Sequence, residues 1–425
     1  MMPDSPPATA CGASPTICVA QLGARRQYSV PRVLYAAGML ERLFTDATGT
    51  GRCMGVLRTL PVRWRPAGLK RLLGRVPARL PLGRITAFQR LGWEYAWRIW
   101  RASGREEQIR SNLWAGQKIS RLAAEAGVGE AAGVYTFNSA GLELLEYARR
   151  HGLTCLVEQT CAPAEVYDRL LSAERDAYPG WERTGSSGTA GEAFAAREKA
   201  EWEAADMILC GSDFVRRGIK EVGGPAERCM VVPYGVETNS LPPAPAKPDG
   251  PLRVLICGQV SLMKGAPYAV AAARALRGMA EFRWIGGVSL LPTAAASIRE
   301  HINLRGIIPR TFMPGEYRWP DVFLLPTISE GSAAVCYEAM ATGLPVIATT
   351  NAGSVVRDGM DGFIVPIRDP EAIAGKLELL ARDRELRQWM SNNARERGRE
   401  FTLKKYGERL VATLRTTMER TVRAT

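Results

Sequence analysis

Two glutamates eight positions apart, Glu330 and Glu338, lie in a segment whose residue types could bind a phosphorylated sugar. The apolar run at 323–325 predicts a strand, and the Pro-Thr turn after it would bring Glu330 to the carboxyl edge of a sheet. A helix is predicted from about Gly331 to Gly343, and the free N–H groups at its start would suit a phosphate. Each carboxylate could accept hydrogen bonds from two neighbouring hydroxyls. One acid near each sugar of a nucleotide sugar, with the diphosphate between them, is a coherent geometry, although solvated helix charges would give the same spacing.

The sequence around these glutamates is similar to a known family. Residues 323–348 resemble the Glu-x7-Glu motif of the retaining glycosyltransferases of family 4, the group 1 glycosyltransferases, which have the GT-B fold. The similarity continues at 351–366 and is preceded, in the family's order, by motifs at 232–236 and 255–265. It extends over about residues 205–400 and is weak before them. The resemblance implies an α/β fold of two doubly wound, Rossmann-like domains that face each other across a cleft.

The resemblance also implies a donor site in the second half of the chain. Glu330 would bind the donor sugar, Glu338 would bind the ribose hydroxyls, and Lys264 would neutralise the diphosphate as it leaves. Glu330 and Lys264 would thus be the catalytic residues. The residues implied to contact the donor are Tyr234, Gly258, Gln259, Lys264, Glu330, Gly331, Ser332, Ala333 and Glu338. Because family members retain the anomeric configuration without a metal, neither a metal nor another cofactor is expected.

Two positions depart from the family pattern. Gln259 stands where the family usually has an arginine beside the lysine, so one positive charge on the diphosphate is missing or comes from elsewhere. The histidine that many relatives present near the donor sugar has no counterpart, since the matching strand end at 157–160 reads Val-Glu-Gln-Thr. Glu158 or Gln159 could stand in for it, and a polar strand end without a catalytic part fits equally well.

A glycine turn with two arginines follows the first predicted strand. Gly23, Arg25 and Arg26 could approach the donor phosphate or the acceptor from across the cleft. With Glu158 they form a second candidate group, an acceptor or phosphate loop. Two ordinary surface arginines would give the same sequence, because a single glycine turn is a weak signal.

Short apolar runs alternate with helical patterns along most of the chain, which is typical of α/β domains with parallel sheets. Five prolines between 241 and 251 predict a linker, so the expected domains are 1–241, for the acceptor, and 252–400, for the donor. A charge-rich helix at about 400–425 would pack back on the first domain. The predicted strands lie at 16–22, 134–138, 154–158, 207–210, 230–232, 252–257, 282–285, 321–325, 345–348 and 362–365.

The net charge of +13 is concentrated in the block 52–121, which holds sixteen Lys or Arg against three Glu and five of the ten tryptophans. The block could be a solvated face, a nucleic-acid site or a face toward an anionic membrane. Tryptophans at 93, 97 and 100, with arginines beside them, favour a membrane interface, although a buried helix face has the same spacing. Binding to nucleic acid is not expected.

Compartment and metal content follow from the rest of the composition. No apolar run is long enough to span a bilayer and the start shows no export signal, which favours a cytoplasmic protein, peripheral on the inner face of the membrane. Nine cysteines without Cys-x-x-Cys spacing and only two histidines disfavour a metal site.

The sequence therefore predicts a retaining glycosyltransferase that uses a nucleotide-diphosphate sugar. Its acceptor would be a glycan, a lipid-linked molecule or a small molecule, in the synthesis of cell-surface polysaccharide or glycoconjugates. A GT-B-fold epimerase or hydrolase acting on the nucleotide sugar is the alternative enzyme, and a non-catalytic nucleotide-sugar-binding protein is the alternative without chemistry. A dinucleotide oxidoreductase is disfavoured because neither half has Gly-x-Gly-x-x-Gly after its first strand.

Overall fold

Buried apolar runs form two parallel β-sheets, and helices cover both faces of each sheet. The computed structural model describes residues 15–50, 52–59, 61, 64–65, 67–238, 241 and 250–424. Most of the proline-rich linker expected at 241–251 lies outside these residues.

The first sheet has seven strands in the order β3-β2-β1-β4-β5-β6-β7, and the second has six in the order β10-β9-β8-β11-β12-β13. All ten predicted strands are present to within two residues. The strands are β1 (Ile17–Gln21), β2 (Leu40–Thr45), β3 (Ile85–Ala87), β4 (Gly133–Phe137), β5 (Thr154–Gln159), β6 (Met207–Cys210), β7 (Cys229–Val231), β8 (Leu252–Cys257), β9 (Ala280–Ile285), β10 (Ile302–Gly306), β11 (Val322–Leu325), β12 (Val346–Thr349) and β13 (Gly362–Val365).

Three strands were not predicted: β2, β3 and β10. Each carries polar residues or is only three residues long, so no continuous apolar run marks it. β3 and β10 are edge strands, which have one paired neighbour and tolerate more polar sequence.

Helices connect the parallel strands, as crossover connections require. In the described residues they are α1 (Ser29–Ala36), α2 (Arg52–Arg58), α3 (Ala67–Leu73), α4 (Gln89–Arg101), α5 (Arg105–Ala126), α6 (Leu142–Arg150), α7 (Ala164–Ala177), α8 (Gly188–Ala204), α9 (Asp213–Glu221), α10 (Ala266–Ala275), α11 (Pro292–Arg299), α12 (Met313–Glu316), α13 (Ala334–Ala341), α14 (Pro370–Arg382), α15 (Arg384–Arg399) and α16 (Leu403–Ala424).

Two helices pack across the boundary between the sheets. Helix α16 follows the second sheet in the chain, yet Leu410, Leu414 and Met418 are buried in a core shared with β1 of the first sheet. Helix α7 comes from the first half, and its Leu171 is buried in the core of the second sheet. These exchanges hold the two sheets together and bring their carboxyl ends face to face.

Candidate functional site

The candidate residues lie where the strand order of each sheet reverses. In the second sheet this point is between β8 and β11, and the loops after these strands carry Lys264 and Glu330. In the first sheet it is between β1 and β4, and the loop after β1 carries Arg25 and Arg26. Open parallel sheets bind their ligands at such points, outside the carboxyl ends of the strands.

Lys264 and Glu330 form an ion pair between Lys264 Nζ and Glu330 Oε2. Lys264 ends a short 3₁₀ turn, and its N–H donates to the Ser261 hydroxyl, which caps the turn. Burial lowers the pKa of Lys264, whereas the neighbouring carboxylate favours the charged ammonium. The pair therefore places a cation and a carboxylate side by side at the edge of the sheet.

Gly258 lets the backbone pass close to this lysine. Its φ is +131°, which side chains disfavour, and a Cβ at this position would lie 3.4 Å from Lys264 Cε. The indole N–H of Trp284 fixes the turn by donating to the Gly258 carbonyl over 2.9 Å. The next residue, Gln259, has an exposed and uncharged side chain.

Three consecutive N–H groups precede the helix that contains Glu338. Helix α13 begins at Ala334 rather than near Gly331 as predicted, because Ala333 has an extended backbone with ψ of 94°. The N–H groups of Gly331, Ser332 and Ala333 find no acceptor among the residues that the structure describes. The Ser332 hydroxyl is turned inward, 2.7 Å from the Tyr337 hydroxyl. The backbone, not the serine side chain, is thus free to bind an anion.

Gly331 lies directly against the first domain. A Cβ here would come within 1.9 Å of the Thr160 carbonyl oxygen, so only glycine fits. The Gly331 carbonyl accepts a hydrogen bond of 2.5 Å from the Ser212 hydroxyl. Because Thr160 follows β5 and Ser212 follows β6, the edges of the two sheets meet at this one residue.

Glu338 is held by two donors in the second domain. The buried Tyr317 hydroxyl donates to Glu338 Oε2 over 2.8 Å, and Arg310 Nη2 donates to Glu338 Oε1 over 2.9 Å. Arg310 itself is 65% exposed. A diol that binds Glu338 would therefore compete with Arg310 at one carboxylate oxygen.

The loop after β1 is strained. Arg26, Gln27 and Tyr28 have φ values of 44°, 53° and 59°, a left-handed conformation that costs a non-glycine residue about 1–2 kcal/mol. At its start, the Gly23 N–H donates to Asp46 Oδ1 over 2.8 Å. Such strain persists only where surrounding contacts enforce it, and it is frequent at functional sites.

Glu158 and Tyr234 lie beneath this loop, and the side chains of both are buried. Glu158 is 1% exposed and accepts hydrogen bonds from the hydroxyls of Tyr135 (2.5 Å) and Tyr234 (2.8 Å). It also pairs with Arg26 over 2.8 Å, and Arg26 lies 3.7 Å above the Tyr234 ring and 3.0 Å from the Tyr406 hydroxyl. Burial raises the pKa of Tyr135 and Tyr234, so both act as neutral donors. Both carboxylate oxygens of Glu158 are thus hydrogen-bonded within the protein, and these contacts hold the strained loop in place.

Gln159 is enclosed as well. It accepts from the Trp202 indole N–H over 3.1 Å and donates to Glu198 over 2.8 Å inside the first domain. In this structure, Gln159 and Glu158 both have their hydrogen-bond partners inside the protein rather than at the surface of the cleft.

Arg25, in contrast, lies at the carboxyl edge of the first sheet. Its Nη1 donates to the Thr160 hydroxyl over 3.2 Å, and its guanidinium lies 5.2 Å from the centre of the Phe137 ring. Thr160 is the residue that touches Gly331. Within the described residues Arg25 forms no ion pair.

Sequence reasoning missed four residues of this site: Thr160, Ser212, Arg310 and Tyr317. Only Ser212 had a recognisable signal, since Ser-Asp before an apolar run is typical of a helix N-cap, and its hydroxyl does accept from the Val215 N–H. As for metals, no cluster of three or more potential ligands occurs in the described part of the chain.

Residues 251–383 match a family model described as glycosyl transferases group 1. The amylovoran biosynthesis glycosyltransferase AmsK of Erwinia amylovora is 30% identical over 40% of this chain and 46% of its own length. The chain spans about half the length of the curated relatives it matches. The second domain is therefore a group 1 glycosyltransferase domain.

Solved structures agree with the architecture over nearly the whole chain. Sucrose-phosphate synthase from Thermosynechococcus elongatus superposes with a TM-score of 0.64 at 17% identity, covering 96% of this chain and all of that one. Anabaena Alr3699/HepE in complex with UDP-glucose superposes with a TM-score of 0.59 at 14% identity, covering 95% and 100%. The fold is GT-B, with two Rossmann-like domains.

Proposed function

We propose that this chain, whose second domain is a group 1 glycosyltransferase domain, transfers a glycosyl group from a nucleoside diphosphate sugar with retention of configuration. The observation that carries the proposal is the row of three unused N–H groups at Gly331–Ala333, next to the Lys264–Glu330 pair. Such a row binds phosphate oxygens without a side chain. A structural neighbour of the same fold contains UDP-glucose.

The proposed mechanism assigns a step to each of these groups. The N–H groups bind the diphosphate, Glu330 accepts hydrogen bonds from the donor sugar, and Glu338 binds the ribose after Arg310 moves away. The bond between the anomeric carbon and the diphosphate oxygen breaks, and Lys264 stabilises the charge that grows on that oxygen. The acceptor hydroxyl attacks the same face of the sugar, and its proton passes to the departing phosphate oxygen.

A binding and turnover assay tests this function. UDP-, GDP- and ADP-sugars are titrated with thermal melting as readout, since a ligand of the native state raises its stability. The sugar nucleotide that binds is then incubated with and without acceptor, and NMR determines the anomeric configuration of the product. Release of free sugar or an epimer without acceptor would favour the hydrolase or epimerase alternative, and binding without any turnover would favour a nucleotide-sugar-binding protein.

For the acceptor, we propose a growing surface polysaccharide or its lipid-linked precursor. A relative of part of this chain is named for amylovoran biosynthesis, which is the support for this class. Lipid-linked saccharides and free small sugars, offered in parallel with the same donor, distinguish the classes.

We further propose that the first domain approaches an anionic membrane surface through helix α4. Trp93, Trp97 and Trp100 are 53%, 52% and 80% exposed, so they do not form a buried helix face. At 100° per residue they lie within an arc of about 60°. Several arginines of the basic block pair with acids outside it, such as Arg75 with Asp46, while Arg63 lies outside the described residues. No helix in the described ranges is long and apolar enough to cross a bilayer.

A further inference from the structure

The proposed diphosphate site lacks positive charge on the side of the second domain. Lys264 is paired with Glu330, so the two together carry no net charge. Gln259, beside them, is neutral. A diphosphate carries more than one negative charge, and an unpaired charge in a partly buried site is costly. A further cation is therefore needed when the donor binds.

Most arginines around the site already have an ion-pair or hydrogen-bond partner. Arg26 is paired with Glu158, Arg310 with Glu338, and Arg197 with Glu143. Arg409 donates to the backbone carbonyls of Pro233 and Tyr234. Moving Arg26, Arg197 or Arg409 would remove a donor from its acceptor, and Arg310 lies at Glu338, the ribose end of the proposed site.

Arg25 differs from these arginines because its only polar contact in the described structure is the neutral Thr160 hydroxyl. Its Nε is buried without a hydrogen-bond partner, as are Arg409 Nε and Arg26 Nη1. A phosphate oxygen would supply the acceptor that this N–H lacks. Thr160 in turn touches Gly331, the first of the three residues with free N–H groups. Gly331 directly follows Glu330, the residue proposed to bind the donor sugar.

We infer that Arg25 is the second cation of the donor site and binds the phosphate that carries the sugar. The inference rests on the proposed function. Because Arg25 belongs to the first domain and Lys264 to the second, the diphosphate would be held between the two domains. Arg25 would thereby supply the positive charge that is missing from the second domain, where Gln259 stands in place of the family's arginine.

Calorimetry with UDP, UMP, GDP and GMP as probes tests this inference. For the base that binds, Arg25→Met should lower diphosphate affinity about 10- to 100-fold, the range for a hydrogen bond to a charged group. Monophosphate affinity should change less than threefold, since the second phosphate is absent. Arg25→Lys should retain most of the diphosphate preference. Gln259→Arg in the Arg25→Met background should restore it, because the missing charge returns from the other domain.

The matched control is Arg32→Met, since Arg32 lies in α1 and is paired with Glu237. It should leave the ratio of diphosphate to monophosphate affinity unchanged. Two results would overturn the role of Arg25. The first is a wild-type ratio of diphosphate to monophosphate affinity in folded Arg25→Met. The second is a loss of diphosphate affinity that is not repaired by Gln259→Arg and is also seen in Arg25→Lys. If the wild-type protein binds none of the four probes, the proposed function fails instead. Melting curves identify a variant that does not fold, and Arg25→Lys then decides the question.

Discussion

Arg368 of the second domain forms an ion pair with Glu174 of the first, with Nε 2.6 Å from Oε1. Glu174 has no exposed surface, and its other oxygen accepts from the Tyr268 hydroxyl over 2.8 Å. Both partners of this carboxylate come from the second domain. Helix α7 is thus locked onto that domain by polar contacts as well as by Leu171.

We expect Arg368→Ala to destabilise the protein more than Glu174→Gln, because only the first change leaves a buried carboxylate without its cation. Breaking a buried pair costs about 3–5 kcal/mol, and the partial exposure of Arg368 lowers the expected cost to about 1–3 kcal/mol. Urea unfolding measures the difference. Arg382→Ala is the control, since its pair with Glu378 is exposed and should contribute less than about 1 kcal/mol. The reverse ranking of the first two variants would contradict this assignment.

Substitution of Glu338 and substitution of its partner Arg310 should have different effects on the affinity for the donor. Glu338→Ala should weaken binding of the nucleoside diphosphate by roughly 1.5–3 kcal/mol, because the ribose loses its acceptor. Arg310→Ala should leave binding unchanged or strengthen it, since the ribose then no longer competes with the guanidinium. Calorimetry measures both affinities. Equal weakening by the two variants would mean that Arg310 contacts the nucleotide itself.

Lys264→Ala should reduce kcat more than donor affinity. Charge grows on the diphosphate as its bond to the sugar breaks, so the ammonium interacts more strongly with the transition state than with the bound donor. A loss of about 100- to 1,000-fold in kcat is typical for one such electrostatic group. Steady-state kinetics, with donor affinity measured separately by calorimetry, gives the two values. A loss confined to affinity would assign Lys264 to binding alone.

The exposed tryptophans of α4 should control attachment to lipid. Wild-type protein should sediment with vesicles containing anionic phospholipid and be released by salt, which screens the charges. Replacing Trp97 and Trp100 by alanine should reduce the bound fraction several-fold, because their apolar rings insert at the interface. Trp389→Ala is the control, since Trp389 is 49% exposed but lies on α15 of the second domain. Equal sedimentation of the two variants would remove α4 as the lipid-binding face.

In the second domain the sequence predicted five of the six strands and the loops that carry the candidate residues, because these signals are local. Glu330, Gly331 and Lys264 follow recognisable strands and turns, and the loops come together because parallel strands end at the same edge. The start of α13 was misplaced by three residues because Gly331 and Ser332 are held by contacts with Ser212 and Tyr337. A single stretch of sequence does not contain such contacts.

The position of Glu158 could not be predicted for a related reason. Its donors are Tyr135, Tyr234 and Arg26, which are remote from it and from each other in the sequence. A glutamate at a strand end gives the same sequence pattern whether its side chain faces the cleft or the interior. The tryptophans of α4 raise the same difficulty, because helical spacing indicates one common face and not what covers that face.

The return of α16 to the first sheet has a consequence during synthesis. The ribosome makes the residues of β1 early and those of α16 only after the whole second domain. Until then one wall of the core around Val19 and Leu34 faces water, since Tyr406, Leu410 and Leu414 are what cover it. The core of the second domain also takes Leu171 from α7, but that helix is made before the domain. The core of the first domain can therefore be completed only after the second domain has been made.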